Sequence, residues 1–172
     1  MRYKLFIFDI DGVFTDGGLY YLDNGQVARK FNVRDGLGIR LLQQTEIIPA
    51  VVSGKKTNTI EARMKILKIE HVYLGIRHKL RTVEKIMQEC NASFDEVIFM
   101  GDDWNDMALL KKVGCAITVP AASQEIKEVC DYVTENHGGN GAVREAIEWV
   151  LKREDLFDNA VKSFVSYLQK NE

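Results

Sequence analysis

Four clusters of polar residues carry the types and spacings that chemistry could use: Asp9-Ile10-Asp11-Gly12, Ser53-Gly54-Lys55, Lys79, and Gly101-Asp102-Asp103-Trp104-Asn105-Asp106. Each follows a short apolar run that reads as a strand, and open α/β sheets bind ligands beyond the carboxyl ends of their strands. Taken singly, these residues could be helix caps or turns. Taken together they could not, because five carboxylates from two neighbouring strand ends would meet on one edge of the sheet. Like charges a few ångströms apart repel by several kcal/mol in a partly buried site. A hard cation bound through oxygen removes the conflict, and a Mg²⁺ site with few carboxylates and several waters matches this residue set. Lys79, near a helix start where the macrodipole disfavours a cation, finds compensation in the same carboxylates and in a bound phosphate. Ser53, Gly54 and the amides after them, leading to the next helix N-terminus, form an anion cradle.

A metal, an anion site and a spare carboxylate point to phosphoryl transfer. Asp9 can attack phosphorus to form an aspartyl phosphate. Asp11, two residues on, can protonate the leaving oxygen and then activate water. Phosphoryl transfer otherwise needs in-line positioning and neutralised charge, which Mg²⁺, Lys79 and Ser53 supply. From Lys55 to Lys85 there are nine Lys/Arg against three Glu, a balance that favours an anionic ligand. Arg34, Lys55 and Arg63 are the candidates for a substrate carboxylate and hydroxyls, since arginine suits bidentate carboxylate binding.

The elements that must position these groups follow from periodicity. Leu5–Phe8, Ile47–Val52, His71–Leu74, Val97–Met100, Cys115–Val119 and Tyr132–Val133 read as strands. Leu37–Gln44, Thr57–Leu67, Leu80–Cys90, Asn105–Lys112, Ser123–Val129 and Ala142–Leu151 read as helices, with apolar steps of three and four. Alternation of this kind predicts an α/β domain spanning residues 1–172, a doubly wound parallel sheet with helices on both faces. Residues 18–31 alternate around Asp23-Asn24-Gly25 and predict a β-hairpin insertion. A tail over about 153–170 carries an apolar stripe of Leu156, Phe157, Val161, Phe164, Val165 and Leu168, and predicts an amphipathic helix. Gly138–Gly141 reads as a turn before a helix, and Trp104 and Trp149 as packing residues. His71, His78 and His137 lack ligand spacing.

The four clusters, in order, spacing and strand context, resemble the motifs of the haloacid dehalogenase superfamily. The resemblance implies a Rossmann-like core. It implies Asp9 as nucleophile and metal ligand, and Asp11 as general acid/base that lends the metal its backbone carbonyl. Ser53, Gly54 and Lys79 would hold the phosphoryl group, Asp102 would be the third protein ligand of Mg²⁺, and Asp103 and Asp106 would orient the metal shell. Too few residues separate the motifs for a cap domain. The runs Asp9–Gly17, Phe31–Gly36 and Gly138–Glu145 are similar to those of uncapped sugar-acid phosphate phosphatases. That likeness implies an eight-carbon ketodeoxy sugar-acid phosphate as substrate, with a nine-carbon one of sialic-acid type second. It also implies a homotetramer whose hairpins cover active sites at subunit boundaries. A receiver-like phosphoacceptor domain uses similar groups, but it has adjacent acids after the first strand and an acceptor aspartate after the third.

Bulk properties narrow the classes further. The net charge of −2 argues against general affinity for nucleic acid or membranes. Three cysteines, Cys90, Cys115 and Cys130, form an odd count without CxxC spacing, which predicts reduced thiols and a cytoplasmic location. No apolar run has the length of a membrane span.

Overall fold

The computed structural model describes residues 2–170. Its strands are β1 (Leu5–Phe8), β2 (Tyr20–Tyr21), β3 (Val27–Ala28), β4 (Ile48–Ser53), β5 (His71–Leu74), β6 (Val97–Met100), β7 (Cys115–Thr118) and β8 (Tyr132–Val133). Its α-helices are α1 (Val33–Leu42), α2 (Asn58–Ile66), α3 (Lys79–Glu89), α4 (Met107–Leu110), α5 (Gln124–Lys127), α6 (Ala142–Arg153) and α7 (Phe157–Lys170). Six strands form one parallel sheet in the order β5-β4-β1-β6-β7-β8.

Period-two alternation assigns the faces of β1. Phe6 and Phe8 pack with Ile39 and Leu42 of α1, Ile60 and Met64 of α2, and Val143, Ile147 and Val150 of α6. Leu5 and Ile7 point to the other face, with Val83 and Ile86 of α3, Leu109 and Leu110 of α4, and Ile126 of α5. All four β1 side chains are fully buried, as a strand covered on both faces requires. Each large apolar side chain so buried contributes roughly 1.5–3 kcal/mol.

The order places β1 at the centre, with the chain winding outward to β4 and β5 on one side and to β6, β7 and β8 on the other. This is a topological switch point, where a crevice opens beyond the carboxyl ends of β1, β4 and β6. Asp9, Gly54 and Gly101 follow those three strands directly. Among the described residues no cap domain interrupts the core.

Two peripheral elements complete the fold. β2 and β3 pair antiparallel as the hairpin, through Tyr20–Ala28 and Tyr21–Val27. Its turn closes by Gly25 N–H to the Leu22 carbonyl at 2.9 Å, and Gly25 takes φ +79°. A left-handed residue there is what glycine provides without strain. α7 lies on α1 and α6, burying Ala160 and partly covering Leu156, Phe157, Val161 and Phe164. The rest of the expected stripe is not covered: Val165 and Leu168 stay 46% and 42% exposed.

Candidate active site

At the end of β1, Asp9 is 5% exposed. Its Oδ1 accepts the Ile10 amide at 2.7 Å, and its Oδ2 meets Lys79 Nζ at 2.6 Å. Lys79 opens α3, is 4% exposed, and also donates to Asp106 Oδ1 at 2.7 Å. The second oxygen of Asp106 accepts the Asp102 amide at 3.3 Å. One ammonium thus bridges two carboxylates, and one of these fixes the backbone that carries a third. Carboxylate oxygens of Asp9, Asp102 and Asp106 fall within 4.8 Å of one another.

The protonation pattern shows the excess of negative charge. Burial pushes Asp9 up to about 6 against the opposing pull of Lys79. Burial first, then the charges of Asp9, Asp106 and Asp103, push Asp102 up to about 7. Burial alone would depress Lys79, but the charges of Asp9 and Asp106 outweigh it and raise its pKa. A hard divalent cation is the group that this set of oxygens fits. Asp9 and Asp102 line an open cavity of about 280 Å³ together with Asp11, Ser53, Lys55 and Asn105. Asp106 is wholly buried, turned to Lys79 and the Asp102 amide, so it braces the site rather than facing a ligand. A larger groove of about 550 Å³ runs beside β5 and α2, but it gathers no comparable charge. Charge, not volume, marks the site.

The family profile of haloacid dehalogenase-like hydrolases matches residues 71–147. The 3-deoxy-D-manno-octulosonate 8-phosphate phosphatase of Escherichia coli K12 is 36% identical over 157 residues, covering 91% of this chain and 84% of that protein. The chain belongs to the haloacid dehalogenase-like hydrolases. Solved structures agree with this hydrolase across nearly its whole length. The Moraxella catarrhalis 3-deoxy-D-manno-octulosonate 8-phosphate phosphatase, in complex with magnesium, phosphate and KDO, has a TM-score of 0.90 at 34% identity, covering 94% of this chain and 93% of that one. The cobalt-bound Haemophilus influenzae phosphatase has a TM-score of 0.84 at 34% identity, covering 88% of each chain.

The hydrolase brings most of the predicted site residues together, with some changes. Ser53 is 1% exposed, and its Oγ accepts the Lys55 amide at 3.2 Å. This turn is separate from the next helix N-terminus, where the sequence predicts the anion cradle: α2 starts only at Asn58, capped by Thr57. Asp103 caps the short 3₁₀ turn Trp104–Asp106 through the Trp104 amide at 2.8 Å. Lys55 lines the cavity, whereas Arg34 and Arg63 do not. Arg63 instead donates to the Asn32 carbonyl at 3.0 Å and lies over the Phe31 ring, stapling α2 to the start of α1. Trp149 packs as expected, stacked on Tyr132 at 4.5 Å. Trp104 does not: it is 58% exposed, between the two cavity residues Asp103 and Asn105.

Sequence reasoning missed two supports. The first is the brace behind Asp11. Gly138 packs so closely on the backbone of Gly12 and Thr15 that a Cβ would overlap it, and Gly139 donates to the Val13 carbonyl at 3.1 Å. Glu145 holds that loop by accepting both the Asn136 amide at 2.9 Å and the Asn136 side chain at 2.6 Å. Gly12 itself takes φ +84°, with no room for a Cβ beside the Asp102 carboxylate. The run of glycines was the available signal, read as a turn before a helix and as part of the family likeness but not as a support for Asp11. The second support is Arg29 of the hairpin, whose Nε meets Asp11 Oδ1 at 2.8 Å.

Proposed function

We propose that this chain is a magnesium-dependent phosphatase for the phosphate monoester of a ketodeoxy sugar acid, 3-deoxy-D-manno-octulosonate 8-phosphate first. The observation that carries the chemistry is Asp9, buried at the switch point between Lys79 and Asp102. The substrate comes from the relatives: the Escherichia coli protein is a phosphatase for this ester, and the Moraxella structure contains KDO. On this reading the enzyme serves lipopolysaccharide precursor synthesis in the cytoplasm. Among the described residues no helix is long and apolar enough to cross a membrane.

Asp9 attacks phosphorus, forming an aspartyl phosphate while the bond to the sugar oxygen breaks. Asp11 hands its proton to that leaving oxygen, then takes one from the water that hydrolyses the intermediate. Ser53, the Gly54–Lys55 turn and Lys79 hold the phosphoryl oxygens. The carboxylates of Asp9 and Asp102 and the backbone carbonyl of Asp11 would hold magnesium, with Asp103 and Asp106 orienting that shell. Bound magnesium supplies charge neutralisation at the phosphoryl group. Lys55 is the cavity's own cation for the substrate carboxylate.

A phosphate-release panel tests this assignment. The octulosonate 8-phosphate is expected to exceed glucose 6-phosphate in kcat/KM by on the order of 10³-fold, with a nonulosonate 9-phosphate between them and all release lost in chelator. Discrimination of that size needs a site built to pair the substrate's polar groups. A kcat/KM for the octulosonate ester no better than for glucose 6-phosphate removes the substrate assignment. Turnover undiminished in chelator removes the metal.

Metal binding is expected to depend on pH in a direction set by the acids. Asp9 and Asp102 have raised values, about 6 and about 7, so magnesium must displace protons from them below those values. The rise in Tm on adding saturating magnesium should be small at pH 5.5, grow through pH 7 and level off by pH 8. Scanning calorimetry at the three pH values checks it. A metal-induced shift that is largest at pH 5.5 contradicts the assigned ligands.

We further propose a homotetramer with the hairpins at its centre. Leu19, Tyr20, Tyr21 and Leu22 are 48%, 48%, 75% and 47% exposed, an apolar run that a second copy would cover. The uncapped cavity also needs a lid to exclude water. Light scattering of the active enzyme is expected to give four chains, and a fully active monomer would end the proposal.

A further inference from the structure

We infer that Arg29 is a positioning residue of the hydrolytic site, which aligns the Asp11 carboxylate for proton transfer to and from the reacting oxygens. The inference rests on the acid–base role given to Asp11 above.

The hairpin is otherwise an exposed element, yet the Arg29 side chain is only 4% exposed. Its Nε–H donates to Asp11 Oδ1 at 2.8 Å, across 18 positions of sequence. Its Nη1 is buried without a hydrogen-bond partner among the described residues. Burying a guanidinium with an unpaired N–H is unfavourable, so a purely solvated arginine would not settle there. The contact to Asp11 is what the burial secures. The hairpin that delivers Arg29 is itself anchored. The Tyr20 hydroxyl donates to Asp16 Oδ2 at 2.7 Å, and Thr15 bridges to Phe31 across the hairpin's base. Arg29 is therefore held on a tethered arm rather than on a free surface chain.

Geometry then dictates what Asp11 can do. Its Oδ1 is committed to the guanidinium, so the oxygen left to exchange protons is Oδ2. In the first half-reaction an Asp9 oxygen bonds to phosphorus and the phosphorus–sugar oxygen bond breaks. The electron pair stays on the sugar oxygen, which takes the proton from Asp11 Oδ2. In the second, water oxygen bonds to phosphorus and gives its proton to Asp11. The phosphorus–Asp9 bond breaks, releasing phosphate and restoring the carboxylate. Both proton transfers need Asp11 in one rotamer; Arg29 restrains its side chain, while the Gly12–Gly138 packing fixes the neighbouring backbone.

A residue that acts only by aligning a general acid has a distinctive signature. A sugar alkoxide leaves poorly without a proton, whereas p-nitrophenolate leaves without one. The value of kcat/KM reports steps through phosphoenzyme formation, where that difference lies. For Arg29→Gln, kcat/KM for the sugar-acid phosphate is expected to fall about 10- to 100-fold, a part of the usual yield of general acid catalysis. The loss should sit in kcat, with KM held within about threefold, since only transition-state interactions are removed. With p-nitrophenyl phosphate kcat/KM should stay within about threefold of wild type by the same argument. Arg29→Lys, which keeps a cationic donor, should recover most of the loss, and Arg29→Ala provides the same comparison if the glutamine variant does not fold. An equal loss on both substrates would show a merely structural role, and no loss on the sugar phosphate would show none; either overturns the inference. Asp11→Asn run alongside separates the two readings. If it lacks the leaving-group dependence, the acid–base role of Asp11 fails. If it has that dependence and the Arg29 variants do not, only the role of Arg29 fails.

Discussion

Asp9→Asn is expected to fold as wild type does and to release no phosphate. The amide keeps the shape of the carboxylate and leaves the oxygen that accepts the Ile10 amide in place. It cannot attack phosphorus, because its nitrogen lone pair is delocalised and its oxygen carries no charge. Removing a nucleophile typically costs on the order of 10⁴-fold or more in turnover. Stability should not follow activity. The Asp9 pKa is raised, to about 6, so its ionised form is disfavoured by folding. A raised carboxylate contributes stability below its unfolded value and loses it as pH climbs through the folded value. A neutral amide removes that loss, but its nitrogen then faces the Lys79 ammonium, which keeps only Asp106 as a partner, so the two effects offset and metal-free Asp9→Asn should melt within a few degrees of wild type at pH 8. Single-turnover phosphate release and calorimetry on the same preparation test both halves. Residual turnover above about one part in a thousand would mean that another group attacks phosphorus.

The parts of this site that sequence made legible are those in which one strand end carries its own chemistry. Asp9, Ser53 and the Asp102–Asp106 run each lie within a few residues of a buried apolar strand, so their convergence follows once the sheet is parallel. Lys79 was legible because it opens a helix where a cation needs a reason to be. What stayed hidden depends on contacts between distant segments. Nothing local in the hairpin marks Arg29, because alternation there reports a pleat and not a partner 18 residues away. The start of α1 was read at Leu37 and lies at Val33, since Gly36 and Gly38 lower helix propensity and Val33, 82% exposed, breaks the apolar period. The cap comes from Asn32, which accepts the Arg34 amide at 2.8 Å. Arg34 and Arg63 were read by charge alone, and charge does not say which way a side chain turns. Trp104 was read as packing because tryptophans generally are; its exposure beside the cavity follows from the 3₁₀ turn that Asp103 caps.

Lys79→Met is expected to be the most destabilising single change at this site, and its reversal by a second change is the sharper test. The ammonium is 3% exposed at its side chain and holds Asp9 at 2.6 Å and Asp106 at 2.7 Å. Methionine fills a similar volume but leaves two buried carboxylates facing each other without a counter-charge. Breaking a buried pair from one side costs roughly 3–5 kcal/mol, because the remaining charge is uncompensated. In a chain of this length that corresponds to a fall in Tm of about 10 °C. The loss has a definite pH dependence. Without Lys79 the Asp9 carboxyl, already at about 6, is pushed further up, so the penalty is present where Asp9 would ionise and fades as pH falls below that value. The variant should therefore approach wild-type Tm near pH 5 and depart from it most at pH 8. Adding Asp106→Leu removes one of the stranded charges, and the double variant should regain a large part of the lost stability, a coupling of about 1–3 kcal/mol. Activity should not return, since the phosphoryl group has lost its cation in both proteins. Thermal melts of the two single variants and the double variant at pH 5 and pH 8 give the cycle directly. Additive losses in that cycle would mean that the Lys79–Asp106 contact contributes nothing, and that the alignment of Asp9 and Asp102 rests on the metal alone.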